Sequence, residues 1–205
     1  MAIPRTTAAS TSGPPRARLL GALDRLSQNH SVIDIGINAL LTEAGVAKAS
    51  LYTHFGSKDE LIAAWLDERQ GRWFGWLYAH LETHAPSREP AQEIDAAFGF
   101  LEAWLGRADF SGCPFISVQL QVKDPEHPAV RKARAYAERL HEFFRSRLAE
   151  LGVRSSLATT LLELYLGTIV ARQLARGTRP ARSARRSASE LVRRATRRAR
   201  RPTTG

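Results

Sequence analysis

Between Gly36 and Gly56 the chain has room for two short helices and almost nothing else. Ile37, Leu40 and Leu41 share one face of a first helix over 36–44, and Gly45 stands at its end. A second helix, over 48–55, starts after only three residues and stops at Gly56. So abrupt a turn needs a residue free to take positive φ, which Gly45 supplies, and a small side chain where the helices approach, which is Ala44. Val46 and Leu51 are the anchors to a core. Lys48, Ala49, Ser50, Tyr52, Thr53 and His54 are left facing outward. Two helices joined this tightly form the helix-turn-helix unit, whose second helix enters the DNA major groove. The outward side chains have the reach to meet phosphates and base edges. Lys58 opens the next helix, where free backbone N–H groups and an ammonium together suit a phosphate. Packing is the alternative role for Tyr52 and His54, and plain solvation for Lys48.

The rest of the chain also reads as helix. Pro15 opens a helix whose Leu19, Leu20, Ala22, Leu23 and Leu26 recur at helical spacing up to Ser27. Ser57, with Glu60 three residues on, caps a long helix over 58–84. Further helices are expected over 90–105, 112–122, 129–151 and 155–176, and as an alanine stripe (Ala184, Ala188, Leu191, Ala195, Ala199) on an arginine-rich segment. With no alternating strand pattern the expected fold is all-α. The helix over 155–176 is apolar nearly all round, which predicts burial partly against a second subunit. The expected organisation is a flexible arm over 1–14, a three-helix DNA-binding domain over 15–56, an effector-binding and dimerisation domain of six helices over 57–201, and a tail over 202–205.

Composition narrows the function. Of 205 residues 43% are hydrophobic, which excludes wholesale disorder, and the single cysteine excludes a disulfide framework or a cysteine-based zinc site. The formal charge is +10, but the segment 172–205 holds twelve arginines and one acid, so residues 1–171 stand at −1. A basic segment attracts any polyanion, so the bulk charge by itself does not indicate DNA. No apolar run reaches the length of a membrane span, and the first fifteen residues carry no secretory signal, so a cytoplasmic protein is expected. A glycine-rich phosphate loop and a Gly-x-Ser-x-Gly elbow are both absent, so no enzyme is expected, nor any cofactor.

The stretch AGVAKASLYTHFGSKDELIAAWL over 44–66, within a match that extends from Leu19, resembles the DNA-binding domain of the TetR-type one-component transcriptional regulators. The remainder is similar to that family in layout, a divergent helical domain that binds an effector and dimerises through its last two helices. Asp109-Phe-Ser-Gly-Cys-Pro-Phe115, with Asp124-Pro-Glu-His-Pro128, resembles one subgroup in which a Gly-Cys segment opens the sixth helix. The resemblance implies that Tyr52, His54 and Lys58 clamp phosphates while Lys48, Ala49, Ser50 and Thr53 face the bases. Ala47 stands where the family carries a capping Ser or Thr, and Gly36 where a cap is usual for the second helix.

The resemblance also implies an effector pocket, and such pockets are mostly apolar with a few polar groups. Trp73, Phe100, Trp104 and Phe115 are candidate linings, with Gln119, Gln121 and Tyr136 as candidate polar partners. Cys113, flanked by Pro114 and Phe115, is expected to be buried with a raised pKa, and a redox sensor is the alternative. His80 and His84 have the i, i+4 spacing of a metal pair, but solvent and the helix dipole are the commoner partners near a helix end. Arg5, Arg16 and Arg18 are candidates for the minor groove. The expected function is a homodimeric, ligand-responsive repressor on a pseudo-palindromic operator. The alternative is an architectural binder of DNA that acts through the arginine-rich segment without regard to sequence.

Overall fold

The computed structural model describes residues 13–174 and 179–200. The expected N-terminal arm, apart from its last two residues, and the tail over 202–205 lie outside them, as does Arg5. The described residues contain helices α1 (Pro15–Leu26), α2 (Ile37–Ala44), α3 (Lys48–Phe55), α4 (Lys58–His84), α5 (Pro90–Leu105), α6 (Pro114–Gln121), α7 (Pro128–Glu150), α8 (Ser156–Leu174) and α9 (Arg179–Ala199), and no strand. Proline at the first turn opens α1, α5 and α6, where its missing N–H has no intrahelical acceptor to lose. Ser57 Oγ accepts the Glu60 backbone N–H at 3.0 Å and so caps α4 as its spacing implied.

Packing divides the described residues into two compact units. One holds the chain up to Trp73 together with Ser111–Tyr136, and the other holds Phe74–Phe110 and the residues from Ala137 onward. The division runs through α4 and α7, so each of these helices contributes to both units.

In the first unit α1 lies on α2 and α3 around Leu19, Leu23, Leu40, Leu51 and Leu61, all buried. A carboxylate sits inside this core. Asp24 is 3% exposed, and its Oδ1 accepts from Trp65 Nε1 at 2.8 Å, Arg69 Nη1 at 2.6 Å and Arg72 Nη2 at 3.5 Å. In the second unit α9 packs on α5 and α8, burying Ala181, Ala184, Ala188 and Val192. The inward stripe therefore begins one turn earlier than the sequence indicated; Leu191 and Ala195 are only half-buried and Ala199 is exposed. A second buried carboxylate, Glu93, accepts from Arg147 Nε at 2.8 Å and Arg88 Nη1 at 3.4 Å.

Candidate nucleic-acid interface

The turn between α2 and α3 is built by backbone geometry. Gly45 sits at φ 61°, ψ 39°, and its N–H and that of Val46 donate to Thr42 and Leu41 carbonyls at 3.1 and 3.2 Å, closing the end of α2. Gly45 is doubly constrained, because a Cβ there would also lie 2.5 Å from Arg18 Nη2. That same nitrogen donates to the Gly45 carbonyl. Arg25 ties α1 to the last turn of α2 through the Glu43 carboxylate and carbonyl. Lys58 Nζ donates to the Ile33 and Ile35 carbonyls at 2.7 and 3.0 Å, and so holds the segment that leads into α2. Three basic side chains thus fix the motif by gripping backbone or carboxylate from outside.

Against that frame α3 buries Leu51 and leaves Lys48, Ala49, Tyr52, Thr53 and His54 exposed; Tyr52 is 45% exposed, unusual for so large a ring, while Ser50 is half-buried. Lys48 Nζ lies 6.0 Å from the Tyr52 ring centroid, so a cation and an aromatic hydroxyl share one patch. Helix α3 has no side-chain cap at Ala47, nor α2 at Gly36, as both residue types require. Lys58, expected at a phosphate, is half-buried, and two of its three N–H donors are engaged by carbonyls. Arg16 and Arg18 are likewise turned to internal work. Arg16 pairs with Glu68 at 3.3 Å and lies over the Phe55 ring, and Arg18 holds Gly45.

The expected pocket residues fall into separate groups. Phe115 stacks on Tyr136 with centroids 4.1 Å apart and planes 6° from parallel, and Trp73 meets Tyr136 edge-on at 6.3 Å. These three form one aromatic cluster in the first unit. Phe100 and Trp104 belong to the second unit, Phe100 beside His80 at 5.7 Å and Trp104 edge-on to Phe110 at 4.8 Å. Gln119 is exposed, so it presents no polar group to a buried ligand, and Gln121 accepts from the Ser31 hydroxyl. Cys113 is 2% exposed, and burial pushes its thiol pKa up, as its neighbours indicated. His80 and His84 stack at 3.8 Å, and no cluster of three or more metal-ligating side chains occurs among the described residues.

Residues 31–65 match the sequence profile of the bacterial regulatory proteins of the tetR family. Over nearly the full length, the chain is 32% identical to a TetR-type transcriptional regulator of Streptomyces avermitilis, covering 87% of this chain and 99% of that one with a TM-score of 0.71. This chain belongs to the TetR family. A TetR-family regulator of Streptomyces coelicolor has the same fold, with 24% identity, a TM-score of 0.79, and coverage of 95% of this chain and 98% of that one. So does the multidrug-binding protein EbrR in complex with malachite green, with 18% identity, a TM-score of 0.67, and coverage of 86% and 96%. No curated protein sequence matches this TetR-family chain. Its relatives are regulators of transcription, not enzymes.

Sequence reasoning missed the carbonyl grips of Arg18 and Lys58 and the buried carboxylates of this TetR-family regulator. A signal for Asp24 was present: it stands four residues after Leu20 and next to Leu23, on the apolar face of α1. The arginine and lysine grips carry no local signal, because their acceptors are backbone carbonyls 23 to 27 residues away.

Proposed function

We propose that this TetR-family regulator binds a pseudo-palindromic operator as a homodimer, represses transcription there, and leaves the DNA when a small-molecule effector occupies its C-terminal domain. The observation that carries the reading is the outer face of α3, where Lys48, Ala49, Tyr52, Thr53 and His54 stand exposed on a turn held by Arg18, Arg25 and Lys58. A rigid turn with a free polar face is what major-groove reading needs. Lys48, Ala49, Ser50 and Thr53 face the bases, Tyr52 and His54 hold phosphates, and Lys58 positions α2 with one N–H left for a phosphate. Residues 15–56 read the DNA, and 57–201 bind effector and partner subunit.

Pairing of two chains is supported by α8, whose Leu162 and Leu166 are half-buried and whose Val170 and Leu174 are 37% and 85% exposed. These four recur every fourth residue, an apolar row that a second α8 can cover. A small-molecule effector is supported by the shared fold of EbrR, which binds malachite green. The aromatic cluster of Trp73, Phe115 and Tyr136 in the first unit supplies ring surface for such a ligand, and Phe100 and Trp104 are separate candidates in the second. No helix among the described residues is long and apolar enough to cross a membrane, which agrees with a cytoplasmic regulator.

The test is binding of the full chain to the DNA upstream of its own gene and to a scrambled duplex, followed by fluorescence anisotropy over a range of salt. A preference of about a thousandfold for the native duplex, lost in Lys48→Ala and Tyr52→Ala chains that still fold, is the expected result. Equal affinity for the two duplexes would overturn the reading and favour an architectural binder.

A further inference from the structure

Along the face that α9 turns to α5 runs a groove of about 650 Å³. Arg193, Arg197 and Arg200 from α9 line it, together with Gln92 of α5 and His84 at the end of α4, and the side chain of Val192 closes its floor. It continues into a second depression of about 580 Å³ that shares Asp95, Ser189 and Arg193 with it. The acids along this face are already engaged. Asp95 accepts from Arg185 at 2.6 Å and from the Ser189 hydroxyl at 2.7 Å; burial works against its ionisation, but these two donors outweigh burial and hold its carboxyl below the usual range. Glu102 accepts from Arg182 at 2.9 Å, and Glu190 pairs with both Arg193 and Arg194.

Among the described residues, Arg197 and Arg200 stand outside these pairs. They are exposed, three residues apart on one helical face, with Arg193 four residues before Arg197, a row of like charges whose mutual repulsion an anion between them would relieve. A helix C-terminus favours nearby cations in general, but it does not explain why they converge on a concave, apolar-floored groove. Guanidinium forks match the oxygens of a phosphate, which carries more charge than a carboxylate and accepts bidentate pairs. His84 adds a ring: one face stacks on His80 at 3.8 Å with planes 11° from parallel, and its exposed side chain borders the groove.

We propose that this groove is a binding site for a phosphate-bearing small molecule, with Arg197 and Arg200 holding the phosphate and Val192 and His84 receiving the ligand's apolar or ring portion. The site shares no residue with α3 and does not depend on how the chain reads DNA. Calorimetric titration of the full chain with ADP, inorganic pyrophosphate and adenosine tests it, alongside an Arg197→Gln/Arg200→Gln double variant. Both side chains are exposed, so the variant's thermal unfolding should be unchanged. ADP and pyrophosphate are expected to bind with Kd below about 1 mM and adenosine not to bind, with affinity in the variant reduced about tenfold or more. The proposal is overturned if neither phosphate compound binds, or if the variant binds them as well as the parent chain. It is overturned equally if a short DNA duplex of arbitrary sequence occupies the groove in preference to ADP, which would make the arginines a DNA contact.

Discussion

Asp24 is enclosed by α1 and α4, and three donors converge on one of its oxygens. Removing that oxygen leaves two guanidinium groups and a buried indole N–H facing a gap, and breaking such a buried pair from one side costs about 3–5 kcal/mol. Arg69 and Arg72 are partly in water, which relieves some of the loss, so Asp24→Ala is expected to cost about 3 kcal/mol. Urea denaturation followed by tryptophan fluorescence measures it, and Trp65 reports the site directly. Ala47 offers the opposite case. Its backbone already has the extended geometry of a helix cap, φ −69° and ψ 151°, but its side chain has no oxygen to bond the first turn of α3. Ala47→Ser should stabilise the chain by about 1 kcal/mol, read as a higher thermal midpoint.

The helices themselves were legible because proline and glycine punctuate them. Pro90 and Pro114 open helices, and Gly45 and Gly56 close them at φ 61° and 76°. Helix α9 was read less well, since arginine dominates it and the inward positions are three alanines and a valine spread over about three turns. What betrays the inward face is the tertiary contact, where Ala188 is fully buried in the helix that packs on α5 and α8. Ala188→Leu adds three carbons where none fit, and should destabilise by about 1–3 kcal/mol in thermal or urea unfolding. The outward positions of α3 were legible for the same reason the turn was, because a helix with one buried anchor, Leu51, leaves Lys48, Ala49, Tyr52, Thr53 and His54 outside, although Ser50, expected there too, is half-buried. The grouping of the pocket candidates was not. Aromatic side chains on long helices give no clue to which ring meets which, and the rings of α5 and α6 joined different units.

Two properties belong to the chain as a unit. The first is its response to acid. Burial, then the charge of His84 and of Arg185, lowers the His80 pKa from 6.5 to about 4. The unfolded chain therefore takes up this proton near pH 6.5 while the folded chain resists until about pH 4, so the contribution is present above pH 6.5 and lost as the pH falls toward 4. Urea midpoints measured across that window should fall, and fall less steeply in a His80→Gln chain. The second is association. Val170→Glu with Leu174→Glu places two charges in the apolar row of α8 and should convert a dimer to a monomer in light scattering, with a matching loss of operator affinity.

The bare start of α3 has one more effect. Ser50 N–H finds the Ala47 carbonyl, but the amide protons of Lys48 and Ala49 have no acceptor among the described residues. With no acceptor among the described residues, they should exchange with deuterium faster than the amides of the helix interior. A DNA phosphate seated there would complete the helix from outside and slow that exchange. Operator occupancy would then be readable at two backbone hydrogens, and the DNA itself would serve as the missing cap.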